Sequence, residues 1–419
     1  MSTSKPDLRI TIDGAALGRR IDELALISEA PAPVVTRVLF SSADLRGREY
    51  VRKAAREAGL AVREDPVGNI FARWEGSEPG LPAVASGSHT DAIPNAGRYD
   101  GVVGVLGAFE ALAALKRAGF KPRRPMEVVM FTAEEPTRFG LGCLGSRLMA
   151  DSIPAEKARA LRDREGRSLE ELRASAGYSG PLESVRLPSG HYHAFVELHI
   201  EQGPVLEAAG IPIGIVERIA GPSSYRVTLH GEGGHAGAVL MPGRHDAMLA
   251  GAEIALAVER AAKASGSPDT VGTVGVFRIE PGAVNSVPFR AYLEIDLRDA
   301  RLDTRSKALG EIRNAAEIAC ARRGVTMEFE EINADPPASG DPRTIEIAER
   351  VCSELGLRSM RMVSRAYHDS LFMSRVSPTT MIFIPCRNGW SHRPEEYASP
   401  GHIASGVDVL AHTLARLAA

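Results

Sequence analysis

The sequence predicts an α/β protein: a mixed, largely parallel sheet with helices on both faces, interrupted by a smaller α+β, ferredoxin-like domain. Three observations carry this reading. Short apolar runs at 82–88, 126–132, 194–200 and 379–384 alternate with helical stretches, as buried parallel strands do. Several of those runs end in polar segments rich in His, Asp and Glu, where open α/β sheets bind ligands. Between 218 and 331 the texture changes to half-exposed strands and two helices in the order β-α-β-β-α-β. With 419 residues the chain is too long for one ordinary core. The expected division is a catalytic domain at 1–217 and 332–419, with an inserted domain at 218–331.

In chain order, 13–28 reads as an amphipathic helix with Asp13 near its start, and 44–60 as a second helix ending at Gly59. Strands follow at 60–63 and 69–74, joined by the turn signal DPVG. The strand at 82–88 leads into GSHTDAIPNAGRYDG, and 102–118 is a long apolar helix closed by Gly119. The strand at 126–132 runs into Glu134-Glu135-Pro136, and polar helices are expected at 155–163 and 168–176. The strand at 194–200 ends in VELHIEQGP. The insert contributes strands at 224–230, 271–280, 290–298 and 327–332, with helices at 248–264 and 303–323. The linker INADPPASGDP returns the chain to a helix at 344–355, the strand at 379–384 and a closing helix at 404–417.

Composition narrows the function class. A net charge of −3, with both signs interspersed, gives no electrostatic footprint for nucleic acid. No apolar run approaches a membrane span, and MSTSKPDLRI lacks the apolar core of a signal peptide. Cys143, Cys320, Cys352 and Cys386 are scattered and form no CxxC. The expectation is a cytoplasmic protein with reduced thiols.

The chemistry gathers at the strand ends. They offer His89 with Asp100, then Glu134 with Glu135, then His199 followed by Glu201 and Gln202. A later segment, GWSHRPEE, adds His392. Mixed imidazole and carboxylate donors suit zinc, manganese, nickel or cobalt. Such a set, with one aspartate shared, is enough for two ions about 3.5–4 Å apart, which can clamp a carbonyl oxygen and activate water. Asp91 lies where a carboxylate could hold the His89 ring in the right tautomer. One of Glu134 and Glu135 would bind metal while the other serves as general base.

The strings SHTDAIPNAGRYDG, TAEEPTRFG, ELHIEQGP, GGHAGAVLMPGRHDA, PGAVNSVP, EIDLRD and WSHRPEE occur in order over nearly the whole chain. Together they resemble the binuclear metal amidohydrolases that hydrolyse N-carbamoyl and ureido acids, within the aminoacylase and carboxypeptidase superfamily. The resemblance implies that His89 binds one metal, Asp100 bridges both, Glu135 and His199 bind one each, and His392 completes the pair. It implies Glu134 as general base, Asp91 as the orienting partner of His89, and His235 as oxyanion stabiliser. Asn285 and Arg298 would hold the substrate carboxylate, and Gln202 would contact substrate near the metals. The insert would be a dimerisation and lid domain, and the activity would belong to ureide nitrogen catabolism. HAGAVLM at 235–241 and AYHDSLFMSR at 366–375 depart from the carbamoylase pattern, and both resemble the ureidoglycolate amidohydrolases, as do EEPTRFG followed by CLGSR and the MIFIPC run at 381–386. Ureidoglycolate is therefore the expected substrate, with N-carbamoyl amino acids and allantoate as alternatives. An aminoacylase, an exopeptidase and a non-catalytic binding protein are the remoter readings. His368 and Asp369 read as structural, and nothing around Cys143 argues for a thiolate.

Overall fold

The computed structural model describes residues 9–419 and divides into two compact units. The first comprises residues up to Glu217, then Ser339–Met362 and His368–Ala419. Its sheet is built on four mutually parallel strands in the order Met126–Phe131, Ala83–His89, Tyr192–Ile200 and Thr379–Ile384. Antiparallel strands flank them: Ile70–Trp74 and Ala61–Glu64 on one side, Ile213–Ile219 on the other. The parallel strands are buried almost throughout, which is why they read as continuous apolar runs.

Alternate residues of Ala83–His89 and Met126–Phe131 feed two cores. Val84, Val128 and Met130 pack with the helices Val102–Arg117 and Pro400–Ala418 on one face. Ala83, Ala85, Val129 and Phe131 pack with Leu144–Met149, Ala155–Ala160 and Leu169–Ser175 on the other. The parallel strands all point the same way, so their C-terminal ends, at His89, Phe131, Ile200 and Ile384, share one edge. The site is built there.

The second unit is Arg218–Ala338 with Val363–Tyr367. It is an antiparallel sheet in the order Val271–Glu280, Arg290–Asp299, Gly221–His230 and Thr326–Ala334. That strand order with the helices Ala247–Ala264 and Leu302–Arg323 is the ferredoxin-like arrangement. Tyr225, Val227, Leu293 and Ile295 pack against the helices, while alternate positions face away. The unit differs from the expected 218–331 at its end. The last strand continues through Ala334 past a register shift, and Arg305 Nη1 ties the carbonyls of Gly221, Pro222 and Asp335 together at 2.6, 3.3 and 2.5 Å.

Several elements lie outside the expected set. Ala92–Ala96 pairs with Val35–Arg37, and Ser359–Ser364 pairs with Ile213–Ile219. The helices Leu144–Met149, Val205–Ala209 and Asp369–Met373 are too short for a helical period to show.

Candidate active site

His89 is the last residue of its strand and is buried. Its Nδ1 lies 3.0 Å from the main-chain oxygen of Asp91, an acceptor, so Nδ1 carries the proton and donates. Nε2 is then turned toward Asp100 Oδ1 at 3.5 Å and Glu134 Oε2 at 3.7 Å. The expected orienting carboxylate of Asp91 stands 3.6 Å from Nδ1, and the carbonyl of the same residue makes the shorter contact. The Asp91 carboxylate instead accepts the amides of Glu134 (3.3 Å) and Glu135 (3.1 Å) and fixes the backbone that carries both acids. Gly101 begins the next helix at φ 64, and a Cβ there would come within 2.5 Å of the His89 ring. Glycine is what lets helix and histidine approach so closely.

Asp100 stands at the centre. Its Oδ1 is 3.1 Å from His199 Nε2, and its Oδ2 is 3.4 Å from His392 Nε2. His392 Nε2 is also 3.3 Å from Glu135 Oε1. His199 donates through Nδ1 to the carbonyl of Ile200 at 2.8 Å, which leaves its Nε2 on the Asp100 side. Besides Glu197–His199–His368, two donor groups result, His89–Asp100–His199 and Asp100–Glu135–His392, and the ligand atoms within each lie within 4.8 Å of one another. They share Asp100.

The electrostatics fit a cation. Burial pushes Asp100 up, but the facing imidazoles of His199, His392 and His89 outweigh it and hold the carboxyl well below its ordinary range. Burial raises Glu135 despite His392, and it raises Glu134 well above the ordinary range, with Glu135, Asp369 and Asp100 adding to the latter by repulsion. Contacts with Asp100 and Glu135 push His392 up to about 11. Crowded carboxylates and imidazoles with inward nitrogens are a donor set for divalent metal. Glu134 belongs to neither donor group, yet its Oε2 faces His89 across 3.7 Å.

Gln202 Nε2 donates to Asp100 Oδ2 at 2.7 Å and lies 3.3 Å from Ser391 Oγ, while its Oε1 is buried without a hydrogen-bond partner. Ala133, Cys143, Gln202 and His392 all have positive φ, at 53, 56, 55 and 59°. Non-glycine residues rarely adopt this conformation, and its concentration beside Glu134 and Asp100 marks a held geometry.

Some supporting residues were not singled out from the sequence. Glu396 Oε1 accepts the amides of Tyr99 (2.8 Å) and Asp100 (3.1 Å), and Ser391 Oγ reaches Glu396 Oε2 (2.8 Å) or Asp100 Oδ2 (2.7 Å). Glu197 accepts Ser88 Oγ (2.7 Å), Ser370 N (3.2 Å) and Ser370 Oγ (2.6 Å). Asp369 and His368, read from the sequence as structural, also stand here: Asp369 accepts Ser146 Oγ at 2.5 Å, and the His368 ring packs edge-on to His199 at 4.5 Å. The signal for Glu197 was present: an acid two residues before His199, on the same face of an otherwise apolar strand.

The remaining expected residues lie in the second unit. His235 pairs with Ser286 in a short ladder, its Nδ1 accepts Gly237 N at 3.1 Å, and Ala236 N donates to the Asn285 carbonyl at 2.8 Å. This brings His235 and Asn285 together. Arg298 lies on Arg290–Asp299 with Nε and Nη2 donating to Asp296 at 2.7 and 3.1 Å and its guanidinium 5.3 Å from the Tyr367 ring centre.

Comparison with known proteins gives a consistent picture. Residues 85–416 match the sequence model of Peptidase family M20/M25/M40. A ureidoglycolate hydrolase of Oryza sativa subsp. japonica is 55% identical over 413 residues, covering 97% of this chain and 85% of the relative. An N-carbamoyl-L-amino acid amidohydrolase of Geobacillus stearothermophilus is 39% identical, covering 97% of this chain and 99% of the relative. Crystal structures of AtUAH in complex with glyoxylate and with (S)-hydroxyglycine each superpose with a TM-score of 0.90 at 53% identity, covering 98% of both chains.

Proposed function

The chain belongs to peptidase family M20/M25/M40, and on that premise we propose that it hydrolyses the carbamoyl C–N bond of a ureido acid, ureidoglycolate first, with release of ammonia. The observation that carries this reading is the pair of donor groups sharing Asp100, with the carboxylate of Glu134 beside them and in neither. His89, Asp100 and His199 would hold one divalent ion and Asp100, Glu135 and His392 a second, manganese or zinc, with cobalt or nickel as alternatives. When bound, the ions supply Lewis acidity toward the carbamoyl oxygen and make water more acidic.

The chain supplies the rest. Glu134 takes a proton from the attacking water and returns it to the departing nitrogen, a task its burial suits by raising its basicity. Asp91 fixes the peptide that presents Glu134 and Glu135. Gln202 contacts the substrate beside Asp100. His235 stabilises the oxyanion, and Asn285 and Arg298 bind the carboxylate of the acid, Arg298 through its planar guanidinium. Ureidoglycolate that loses ammonia and then carbon dioxide leaves hydroxyglycine, and (S)-hydroxyglycine is the molecule bound in one AtUAH structure. That chemistry favours ureidoglycolate over N-carbamoyl amino acids, which the Geobacillus relative supports as second reading.

The working form is a homodimer through the second unit. Its edge strand Val271–Glu280 and neighbouring helix Ala247–Ala264 expose Phe277, Ile279, Met248 and Leu256, an apolar set that a partner copy would cover. A reducing, cytoplasmic setting agrees with buried free thiols at Cys143, Cys320, Cys352 and Cys386. No helix among the described residues is long and apolar enough to cross a membrane.

The test is ammonia release from ureidoglycolate, allantoate, N-carbamoyl amino acids and acyl amino acids, before and after chelation and with manganese, cobalt or zinc restored. The expected result is highest kcat/KM on ureidoglycolate, loss on chelation and recovery with metal. Preference for an acyl amino acid, or full activity after verified metal removal, overturns the reading.

A further inference from the structure

Cys143 precedes the short helix Leu144–Met149 and is fully buried, with φ 56 and ψ 35. Glycine would hold that left-handed backbone at less cost, so the position retains a side chain against its local preference. The side chain has a partner. Its Sγ lies 3.6 Å from Glu134 Oε1, and the Cys143 amide donates to the main-chain oxygen of Glu134 at 2.8 Å. One residue therefore grips Glu134 twice, once through the backbone and once through the thiol. The second carboxylate oxygen, Oε2, is the one that faces His89.

We infer that Cys143 is a positioning residue for the general base: its thiol holds Glu134 Oε1 so that Oε2 is the oxygen offered to water. This rests on the assignment of Glu134 made above. Burial, with the Glu134 and Asp369 carboxylates adding, pushes the thiol well up, so it stays protonated and serves as a donor rather than a nucleophile. A thiol is a weak donor. It orients the carboxylate while costing it less basicity than a cation or a strong donor would. An apolar side chain would leave Oε1 buried without this donor.

The test compares Cys143→Ala with Cys143→Ser in the metal-loaded full chain, with Glu134→Gln alongside. Metal content, Tm, kcat and KM are measured, with ammonia release from ureidoglycolate and N-carbamoylglycine as the assay. Alanine should lower kcat by about 10-fold with KM and metal content unchanged, the scale of a modest misplacement of a reacting group. Serine restores a donor and should stay within about 3-fold of wild type. A thiol that merely filled apolar space would make serine the worse of the two. Wild-type kcat for alanine, or serine no better than alanine, overturns the inference. If alanine lowers Tm or metal content, Cys143→Gly replaces it, since glycine suits the backbone and also removes the donor. The same selective fall in kcat is then expected, and wild-type kcat would again overturn the inference. Wild-type turnover by Glu134→Gln would remove the base assignment itself, which is a separate failure.

Discussion

Replacing Glu396 by alanine should loosen the metal centre although Glu396 is in neither donor group. Its carboxylate brackets the segment carrying Asp100 by accepting the amides of Tyr99 and Asp100, and Ser391 reaches its second oxygen. Gly97 packs so closely that a Cβ there would come within 2.3 Å of Glu396. Hydrogen bonds to an ionised group contribute about 1.5–3 kcal/mol each, and neighbours sharing an acceptor do not add fully. Water entering the vacated space recovers part, leaving a net loss of about 2–4 kcal/mol. The share that acts on Asp100 should weaken metal binding by about 10–100-fold, as loss of a ligand's supporting partner does. Burial, with Asp100 adding, pushes Glu396 up to about 7, so a neutral amide is a fair substitute near that pH. Glu396→Gln should therefore lose less than Glu396→Ala. Glu395 provides the control, since it is exposed and pairs with Arg393 at 2.9 Å. Residual metal is measured by competition with a chelator of known affinity. Wild-type affinity in Glu396→Ala, or an equal loss in Glu395→Ala, refutes the reasoning.

Two further outcomes bear on the chemistry. Glu134→Gln should keep its metal and lose at least ~10²-fold in kcat, the usual worth of general acid–base catalysis, whereas Glu135→Gln should lose metal. The reverse pattern, read by elemental analysis and ammonia release, would exchange their roles. Arg298→Lys keeps the charge but not the planar fork, so it should raise KM for the acid while hardly changing turnover of a neutral amide analogue. Equal effects on both substrates would remove Arg298 from carboxylate binding.

The strand ends were legible because burial on both faces writes the parallel strands as apolar runs, and His89, Glu134 and His199 stand where those runs stop. The insert was legible because its strands alternate, as the burial of Arg290–Asp299 does. What stayed hidden depends on contacts distant in sequence. Glu396 meets Tyr99 across 297 residues, and nothing local separates it from Glu395. Ser370 meets Glu197 across 173. Cys143 lies nine residues from Glu134, but the helix it precedes is only six residues long and shows no period. Asp296 was within reach of sequence reasoning, because residues two apart on a strand share a face and it stands two before Arg298.

The donors given to each buried acid separate supporting carboxylates from working ones. Asp91 accepts two backbone amides, Glu396 two amides and a hydroxyl, and Glu197 an amide and two hydroxyls. Those oxygens accept from donors that bring no metal-binding nitrogen of their own, so their hydrogen-bonding capacity is met within the fold. Asp100 also accepts from Gln202 Nε2 and Ser391 Oγ, but it, Glu134 and Glu135 face imidazole nitrogens of His89, His199 and His392, which are metal donors themselves. A cation can enter between a carboxylate and an imidazole and satisfy both, whereas between a carboxylate and an amide N–H it could satisfy only one. Within the facing set, Glu134 differs again, since a neutral thiol engages one oxygen and leaves the other toward His89. The adjacent acids at 134 and 135 thus part by partner: Glu135 stands against His392, while Glu134 Oε1 meets the Cys143 thiol and its Oε2 faces His89.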